Sequence, residues 1–486
     1  MILFWFRRDL RLQDNSGLYQ ALAAAKAQNT KVLPVFIFDS TILNALNDKK
    51  DARLNFIFDT ITALKQELQA FGSDLLVLHG QPLQIWTALS EKIDNQASKI
   101  NNQASKINNQ ASKINFSALY FNRDYEPYAK TRDQAVHLQL KTVGISTHSF
   151  KDHVVFEKLE VTKADNSPYL VFTPYSKRWR AKLEESRKTE TNDITTVVTD
   201  ALSPKPTETL FDYFLAAKSE EFATILADYP APNLSDLGFQ LSDIKIPAKN
   251  IDNQLIIAYK ERRDTPAFRR GTSLLGLHLR FGTLSIRQLA QISEKLSDTF
   301  LNELIWRDFY AMILDNFPHV MGQSFRPEYD KIQWRNDSHD FEAWKAGKTG
   351  YPLVDAGMRQ LNQTGFMHNR VRMVVASFLC KHLLIDWRWG EAYFAEKLLD
   401  FDLSSNNGGW QWAAGSGTDA APYFRIFNPQ AQQVKFDKDF EYIRRWVPEY
   451  GTTKYAAPIV VHEFARARCL EVYKAALKTT ANKENS

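Results

Sequence analysis

Residues that could carry chemistry crowd most densely into Asp400-Phe401-Asp402-Leu403-Ser404-Ser405-Asn406-Asn407-Gly408-Gly409-Trp410-Gln411-Trp412. Carboxylates accept ring N–H groups, and amides meet ring nitrogens or carbonyls. Adjacent glycines let backbone approach a ligand closely. The segment reads as a pocket for a flat heterocycle, against the plainer alternative of a structural turn. A second constellation is Tyr259 followed by Arg269-Arg270-Gly271-Thr272-Ser273-Leu274-Leu275-Gly276. Glycine, Thr and Ser at the start of a helical run make an N-cap, and free amides with hydroxyls there form an anion site. A capped surface helix would look the same. In Asn302-Glu303-Leu304-Ile305-Trp306-Arg307, Glu303 and Trp306 are three apart and share a helical face. A ring beside a carboxylate can hold a base by stacking plus a polar contact; an ordinary surface pair is the alternative.

Tryptophan usage points the same way. Eight of eleven tryptophans lie beyond residue 300: Trp306, Trp334, Trp344, Trp387, Trp389, Trp410, Trp412 and Trp446. Oxidisable rings in van der Waals reach pass an electron stepwise, although core packing is the everyday role of tryptophan.

Other motifs fail. Gly347-Lys348-Thr349 resembles the end of a phosphate-binding loop, but the glycine required five positions earlier is Glu342, and no strand precedes it. No GxGxxG opens a helix in the first 150 residues, so a dinucleotide bound in Rossmann fashion is not supported. There is no HExxH, and Asp400 with Asp402 lacks a third ligand at metal spacing, so no metal is expected.

These residues need elements to hold them. The 486 residues exceed one ordinary core, which predicts two domains. With 44% hydrophobic and 24% charged residues, the composition is that of a soluble globular protein. No apolar run reaches the roughly 18 residues that span a bilayer. The start, Met1 to Leu12, lacks the features of a secretory signal and reads as a first strand. Two distant cysteines, Cys380 and Cys469, predict inert thiols in a reducing cytoplasm. A net charge of +5 suits a polyanion partner without proving one.

Residues 1–150 alternate short apolar runs (Ile2–Phe6, Val32–Phe38, Leu75–Leu78, Leu119–Phe121, and one around Ile145) with helical patterns near 16–28, 52–70 and 126–141. This βαβ rhythm predicts a five-stranded, parallel, doubly wound α/β domain. The unit KINNQAS recurs over 93–114, with Ile93, Ile100, Ile107 and Ile114 seven apart. A coiled-coil seam is one reading. Asn-rich faces form helices poorly, so an inserted surface loop over 94–114, dispensable for activity, is favoured. Residues 151–250, interrupted by Pro168, Pro174, Pro204, Pro206, Pro230 and Pro232, read as a connector. From 251 to 486 an all-α domain is expected, with Val371, Val374, Val375, Phe378, Leu379 and His382 on one helical face.

In order and spacing, several segments together resemble the DNA photolyase and cryptochrome family. They are Trp5-Phe6-Arg7-Arg8-Asp9-Leu10-Arg11, Gly271-Thr272-Ser273, Asn302 to Arg307, Gly347-Lys348-Thr349-Gly350-Tyr351-Pro352, Met367-His368-Asn369-Arg370 and Asn406 to Trp412. The likeness runs from residue 1 to about 450, the repeat and parts of the connector excepted. It implies an N-terminal antenna domain and a C-terminal helical domain that binds FAD and DNA. Tyr259, Thr272, Ser273, Leu274, Leu275 and Gly276 match the phosphate cradle, where relatives often carry serine in place of Gly276. Arg307, Asn369, Asp400, Phe401, Asp402 and Asn406 match flavin-pocket positions, and Arg372 matches the partner of Asp400. The Asn406 position faces flavin N5; plant cryptochromes commonly carry Asp there and animal ones Cys. A neutral amide does not readily donate a proton to the reduced ring, which favours repair.

By the same likeness, Trp410, Trp387 and Trp334 match an electron relay from flavin to surface. Trp306 and Trp412 match rings that wedge a flipped dimer, Glu303 the carboxyl that bonds it, and Met367 a residue packed against it. Phe300 and Phe366 replace tryptophans common in relatives. Arg370 and Arg425 are expected to hold phosphates, which makes binding salt-dependent, with Arg307, Asn369 and Gln432 also on the DNA side. The implied activity is that of class I photolyases: light-dependent splitting of cyclobutane pyrimidine dimers by reduced FAD in single- or double-stranded ultraviolet-damaged DNA. A monomeric cytoplasmic enzyme is expected. Extrusion of the lesion is eased by its weakened stacking and pairing.

Three other readings fit less well. Cryptochrome photoreceptors often carry long tails, and about 36 residues follow the matched region here (486 minus 450). Six-four photolyases show paired histidines that Met367-His368-Asn369-Arg370 does not supply. A generic flavin oxidoreductase would need a nicotinamide site. For the antenna, Tyr125-Glu126-Pro127-Tyr128-Ala129 lies where folate-binding relatives often have Asn-Glu, with Tyr128 and Ala129 departing from their pattern. Methenyltetrahydrofolate is therefore the first expectation, and a deazaflavin or a second flavin such as FMN the alternative.

Overall fold

The computed structural model describes residues 1–90, 116–189, 202 and 207–481; the KINNQAS repeat and its loop reading fall outside the described residues. The chain forms two compact units. The first gathers Met1–Val155, Ser203–Ile246 and Phe281–Gln288; the second gathers Phe156–Leu202, Pro247–Arg280 and Leu289–Ser486.

In the first unit the elements run β1 (Ile2–Phe6), α1 (Ser16–Ala27), β2 (Val32–Asp39), α2 (Ala52–Ala70), β3 (Leu76–Gly80), α3 (Pro82–Ser90), β4 (Ala118–Asn122), α4 (Pro127–Thr142) and β5 (Ser146–Phe150). All strand pairs are parallel, in the order β3-β2-β1-β4-β5. The expected five-stranded doubly wound sheet is present. β1 is apolar at every position because both its faces are covered: Ile2, Phe4 and Phe6 enter one core, Leu3 and Trp5 the other.

The expectation that 151–250 is a connector does not hold for its described residues 207–246, which belong to the first unit. Leu210, Phe211 and Phe214 join the core under Ile2 and Phe4, while Phe222 and Ile225 of the helix Glu220–Asp228 join the opposite one. Their apolar side chains are buried, so this stretch is packed structure.

Arginines of the Trp5-to-Arg11 motif are committed to structure here. Arg7 pairs with Asp133 at 2.5 Å, Arg8 with Asp124 at 2.9 Å and Glu126 at 3.0 Å, and Arg11 with Asp152 at 2.8 Å. Arg287 pairs with Asp14 at 3.0 Å and with Asp152 at 2.7 Å. Burial pushes the Asp152 carboxyl up, but Arg11 and Arg287 outweigh it and hold the group down at about 2.

The second unit is helical. Its main elements are α5 (Phe172–Thr189), α6 (Asp298–Asn316), α7 (Pro352–Thr364), α8 (Asn369–Ser377), α9 (Trp387–Lys397), α10 (Leu403–Ala414) and α11 (His462–Ala481). The stripe foreseen at Val371, Val374, Val375, Phe378, Leu379 and His382 is wholly buried, and α8 runs on into a π-helical turn, Phe378–Leu383. Gly347-Lys348-Thr349 is a buttress: the N–H and hydroxyl of Thr349 both donate to Asp355 at 2.7 Å, just ahead of α7.

Candidate functional site

α6 starts at Ser297, which caps it by accepting the Phe300 N–H. Phe300, Leu301, Leu304, Ile305 and Phe309 are buried, leaving Glu303, Trp306, Arg307 and Tyr310 half-buried on its rim. Glu303 is paired with Arg263. Burial raises the Glu303 carboxyl, and the Arg263 guanidinium pulls it partly back. Arg263 also lies 5.3 Å over the ring of Tyr259, which meets Phe300 edge-on at 5.0 Å. Trp306 lies parallel to Phe172 at 3.7 Å and 4°.

The loop ahead of the short helix Gly276–Arg280 carries Thr272 and Ser273 half-buried, with Leu274 in the left-handed region at φ 55°. The helix therefore begins at Gly276, and the expected N-cap at Thr272 and Ser273 is a turn in which Ser273 accepts the Leu275 N–H at 3.4 Å. Gly276 runs against Asp400: a Cβ there would stand 3.0 Å from the Asp400 Cβ and 3.1 Å from its Oδ2. Arg372 Nη2 donates to both Asp400 oxygens, at 3.1 and 2.9 Å, and its Nε to the Met367 carbonyl at 2.7 Å. Asp402 caps α10 by accepting the Ser405 N–H at 3.1 Å and lies 3.7 Å from Arg280, whose guanidinium faces Phe401 at 5.9 Å. Arg307 Nη2 donates to the Leu279 carbonyl at 3.4 Å. Loop, carboxylates and arginines, far apart in sequence, thus share one wall.

α10 supplies a second wall. Asn406 Nδ2 donates to the Glu391 carbonyl at 3.1 Å, which leaves its Oδ1 as the amide's acceptor end. The paired glycines differ in use. A Cβ on Gly408 would lie 2.2 Å from the Tyr310 ring, so its smoothness admits α6; one on Gly409 meets nothing within 4 Å. Only Gly409 leaves the open backbone that a ligand approach requires.

Trp410, Trp387 and Trp334 border one apolar cluster, the first two buried and Trp334 half-buried. Among the described residues no ring contact joins any two of them. Trp410 meets Phe394 at 5.0 Å and Trp344 at 6.1 Å; Trp387 carries Arg388 at 4.8 Å; Trp334 meets Tyr473 at 6.0 Å.

The expected DNA-side residues are less gathered. Arg370 is occupied by Asp264 at 2.7 Å and lies 4.5 Å over Phe436, whereas Arg425 is exposed beside Phe427 at 5.8 Å. Trp412 and Gln432 are half-buried, Trp412 near Phe427 at 6.4 Å, and Asn369 is exposed at the start of α8. Met367 is 3% exposed, its thioether packed on neighbours such as Gly357. The half-buried methionine of α8 is Met373, whose sulfur is 3.7 Å from Arg370 Nη1. Sequence reading also passed over Arg263, Phe172 and Glu391; Arg263 alone had a local signal, four positions after Tyr259.

The residues present suit FAD. Hydroxyls of Thr272 and Ser273 near arginines suit a pyrophosphate, and the Asp400–Arg372 pair and Asn406 Oδ1 suit the polar edge of a flavin. His368 offers a buried orphan: its Nδ1 accepts the Arg370 N–H at 3.2 Å, so its neutral ring carries a hydrogen on Nε2, which has no partner among the described residues. A parallel α/β unit and a helical unit with this donor set define an FAD-binding protein of photolyase–cryptochrome architecture.

Comparison with known proteins agrees. Residues 2–193 match the family model described as DNA photolyase, and residues 300–454 match that of the FAD binding domain of DNA photolyase. A deoxyribodipyrimidine photo-lyase of Halobacterium salinarum is 35% identical, covering 92% of this chain and 89% of that protein. The crystal structure of a bacterial class III photolyase from Agrobacterium tumefaciens is 32% identical, covers 98% of both chains and superposes with a TM-score of 0.74. An archaeal photolyase from Sulfolobus tokodaii, solved with two FAD molecules, is 30% identical with a TM-score of 0.70, covering 98% of this chain and 99% of its own. The chain belongs to the DNA photolyase family. The enzyme assignment that follows from these relatives is deoxyribodipyrimidine photo-lyase, a DNA-repair activity.

Proposed function

We propose that this enzyme reverses cyclobutane pyrimidine dimers by light-driven electron transfer from reduced FAD to a dimer everted from DNA. The Glu303–Trp306 face of α6 carries the reading, because it sets a carboxyl and an aromatic plane side by side on the rim of the helical unit. When bound, FAD supplies the light-excited electron donor. Trp306 and Trp412 supply flat surfaces that compensate an extruded lesion for lost stacking, at about 1–3 kcal/mol per base. Glu303, raised by burial, offers a hydrogen bond to a dimer carbonyl, oriented by Arg263. Met367 packs against the dimer. Asn406 turns its acceptor oxygen to the ring because its nitrogen is committed to Glu391.

Tyr259, Thr272, Ser273, Leu274, Leu275, Gly276, Arg307, Asn369, Arg372, Asp400, Phe401 and Asp402 hold the cofactor. Trp410, Trp387 and Trp334 refill it with electrons, and Arg370, Arg425 and Gln432 meet DNA. In the first unit the reading adds a methenyltetrahydrofolate antenna near Glu126, at the start of α4. The crevice past the ends of β1 and β4, where doubly wound sheets bind ligands, is lined by Arg7, Arg8, Asp9, Asn122, Arg123, Asp124, Asp152 and His153. A deazaflavin or a second flavin such as FMN is the alternative. A monomer in the reducing cytoplasm is consistent with two unbridged, buried cysteines.

The test is light-dependent loss of dimers from an irradiated oligonucleotide. Glu303→Ala lowers the yield per photon and Trp306→Ala weakens dark binding; undiminished binding and turnover in both variants overturn the reading. An absorption spectrum of the purified protein identifies the antenna.

A further inference from the structure

Trp306 is half-buried, with the Tyr310 ring of its own helix against it at 5.4 Å and 29° and one face covered more closely still. The Phe172 ring lies on it at a centroid distance of 3.7 Å and an interplanar angle of 4°, as closely and as flatly as a stacked base would. Phe172 is the first residue of α5, and α5 is bolted along α6. The Trp179 indole N–H donates to Asp308 at 3.0 Å, the Ser176 hydroxyl to Asn302 at 3.3 Å, and Arg180 pairs with Asp298 at 2.9 Å.

The near end of α5 is fixed separately. The Phe172 N–H donates to Asp419 at 3.1 Å, and the Thr418 hydroxyl donates to the Leu170 carbonyl at 2.5 Å. Thr418 and Asp419 follow closely on α10, the helix that carries Trp412. Phe309 braces the stack from the side, edge-on to Trp306 at 5.6 Å and to Phe172 at 5.9 Å. The Phe172 ring therefore has little freedom, and it is tied to the helices of both wedge tryptophans.

We propose that Phe172 is a positioning residue for lesion recognition: it fixes the ring plane of Trp306, so that an everted dimer meets a preset surface instead of having to order a mobile side chain. The proposal rests on the reading of Trp306 as a lesion-stacking residue. Fixing a ring before binding removes its ordering cost from association. The benefit falls on lesion affinity and leaves the photochemical step after binding untouched.

The experiment measures dark binding of the FAD-loaded full chain to an oligonucleotide with one thymine dimer and to its undamaged counterpart, for wild type, Phe172→Ala, Phe172→Leu, Phe172→Tyr and Trp306→Ala. Phe172→Ala and Phe172→Leu are expected to weaken dimer binding about 5-fold, the scale of one aromatic pair, with undamaged binding unchanged. Phe172→Tyr restores the flat face and the affinity. In steady-state repair under saturating light, the half-saturating dimer concentration rises in Phe172→Leu while the rate at saturation holds. Leucine keeps apolar volume without a plane, so it decides the matter should the alanine variant lose FAD. Wild-type dimer affinity in Phe172→Leu alongside weakened binding in Trp306→Ala overturns the role of Phe172 alone. Unchanged binding in Trp306→Ala overturns the reading beneath it.

Discussion

Glu391 of α9 and Asn407 of α10 are joined by a 3.0 Å hydrogen bond from the amide nitrogen to the carboxyl. Burial lifts the Glu391 carboxyl to about 7 from the ordinary 4.5, against the opposing pull of Asn407 and Arg388. The folded state therefore binds a proton that the unfolded state releases, and the associated stability is complete at acid pH and lost as pH climbs through about 7. Glu391→Gln removes this slope. Melting curves between pH of about 5 and 8 should show the variant gaining on wild type as pH rises; a constant offset would contradict the assignment.

Arg263 lowers the proton affinity that burial gives Glu303. In Arg263→Ala the Glu303 carboxyl stays protonated to higher pH. The pH profile of dark dimer binding should shift upward, whereas Arg263→Lys should hold it near wild type. An unmoved profile in the alanine variant would separate Glu303 from its neighbour's charge.

A Cβ on Gly390 would lie 2.1 Å from Trp410 Cη2, so α9 passes that indole with no room for a methyl group. Gly390→Ala forces Trp410 or α9 to move, at a cost of about 1–3 kcal/mol. Denaturant unfolding reads the loss. Light-driven reduction of the bound flavin should slow in the same variant if Trp410 begins the relay.

Arg287 neutralises two buried carboxylates, Asp14 and Asp152. Arg287→Met removes this countercharge, leaving Asp152 to Arg11, and should cost about 3–5 kcal/mol in urea unfolding. Asp152 sits near 2 in the folded protein against an ordinary 3.8, so its contribution is present above pH 3.8 and fades as pH falls through about 2. The penalty of the variant should accordingly shrink in acid.

Strands were legible because a parallel sheet covered on both faces demands continuous apolar runs, as in Ile2–Phe6 and Val32–Asp39. Glu303 and Trp306 were legible because helical spacing alone puts them together. Spacing could not show which Gly of Gly408-Gly409 faces open space, since that depends on Tyr310 of another helix. Nor could it show that Met367 is buried and Met373 half-buried, since only packing decides which is covered. Phe172 carried no sign of its stack on Trp306, because that contact arises from the docking of α5 on α6.

The first unit takes its last strip, Phe281–Gln288, from far down the chain. Arg287 lies 135 positions beyond Asp152 (287 minus 152). During synthesis the sheet emerges first, with Asp152 paired to Arg11 and Arg287 still to come. At ~5–20 residues per second the wait is on the order of ten seconds. A nascent chain stalled before Arg287 holds a half-neutralised interior, which makes this stretch of translation the window in which a ribosome-bound chaperone has most to protect.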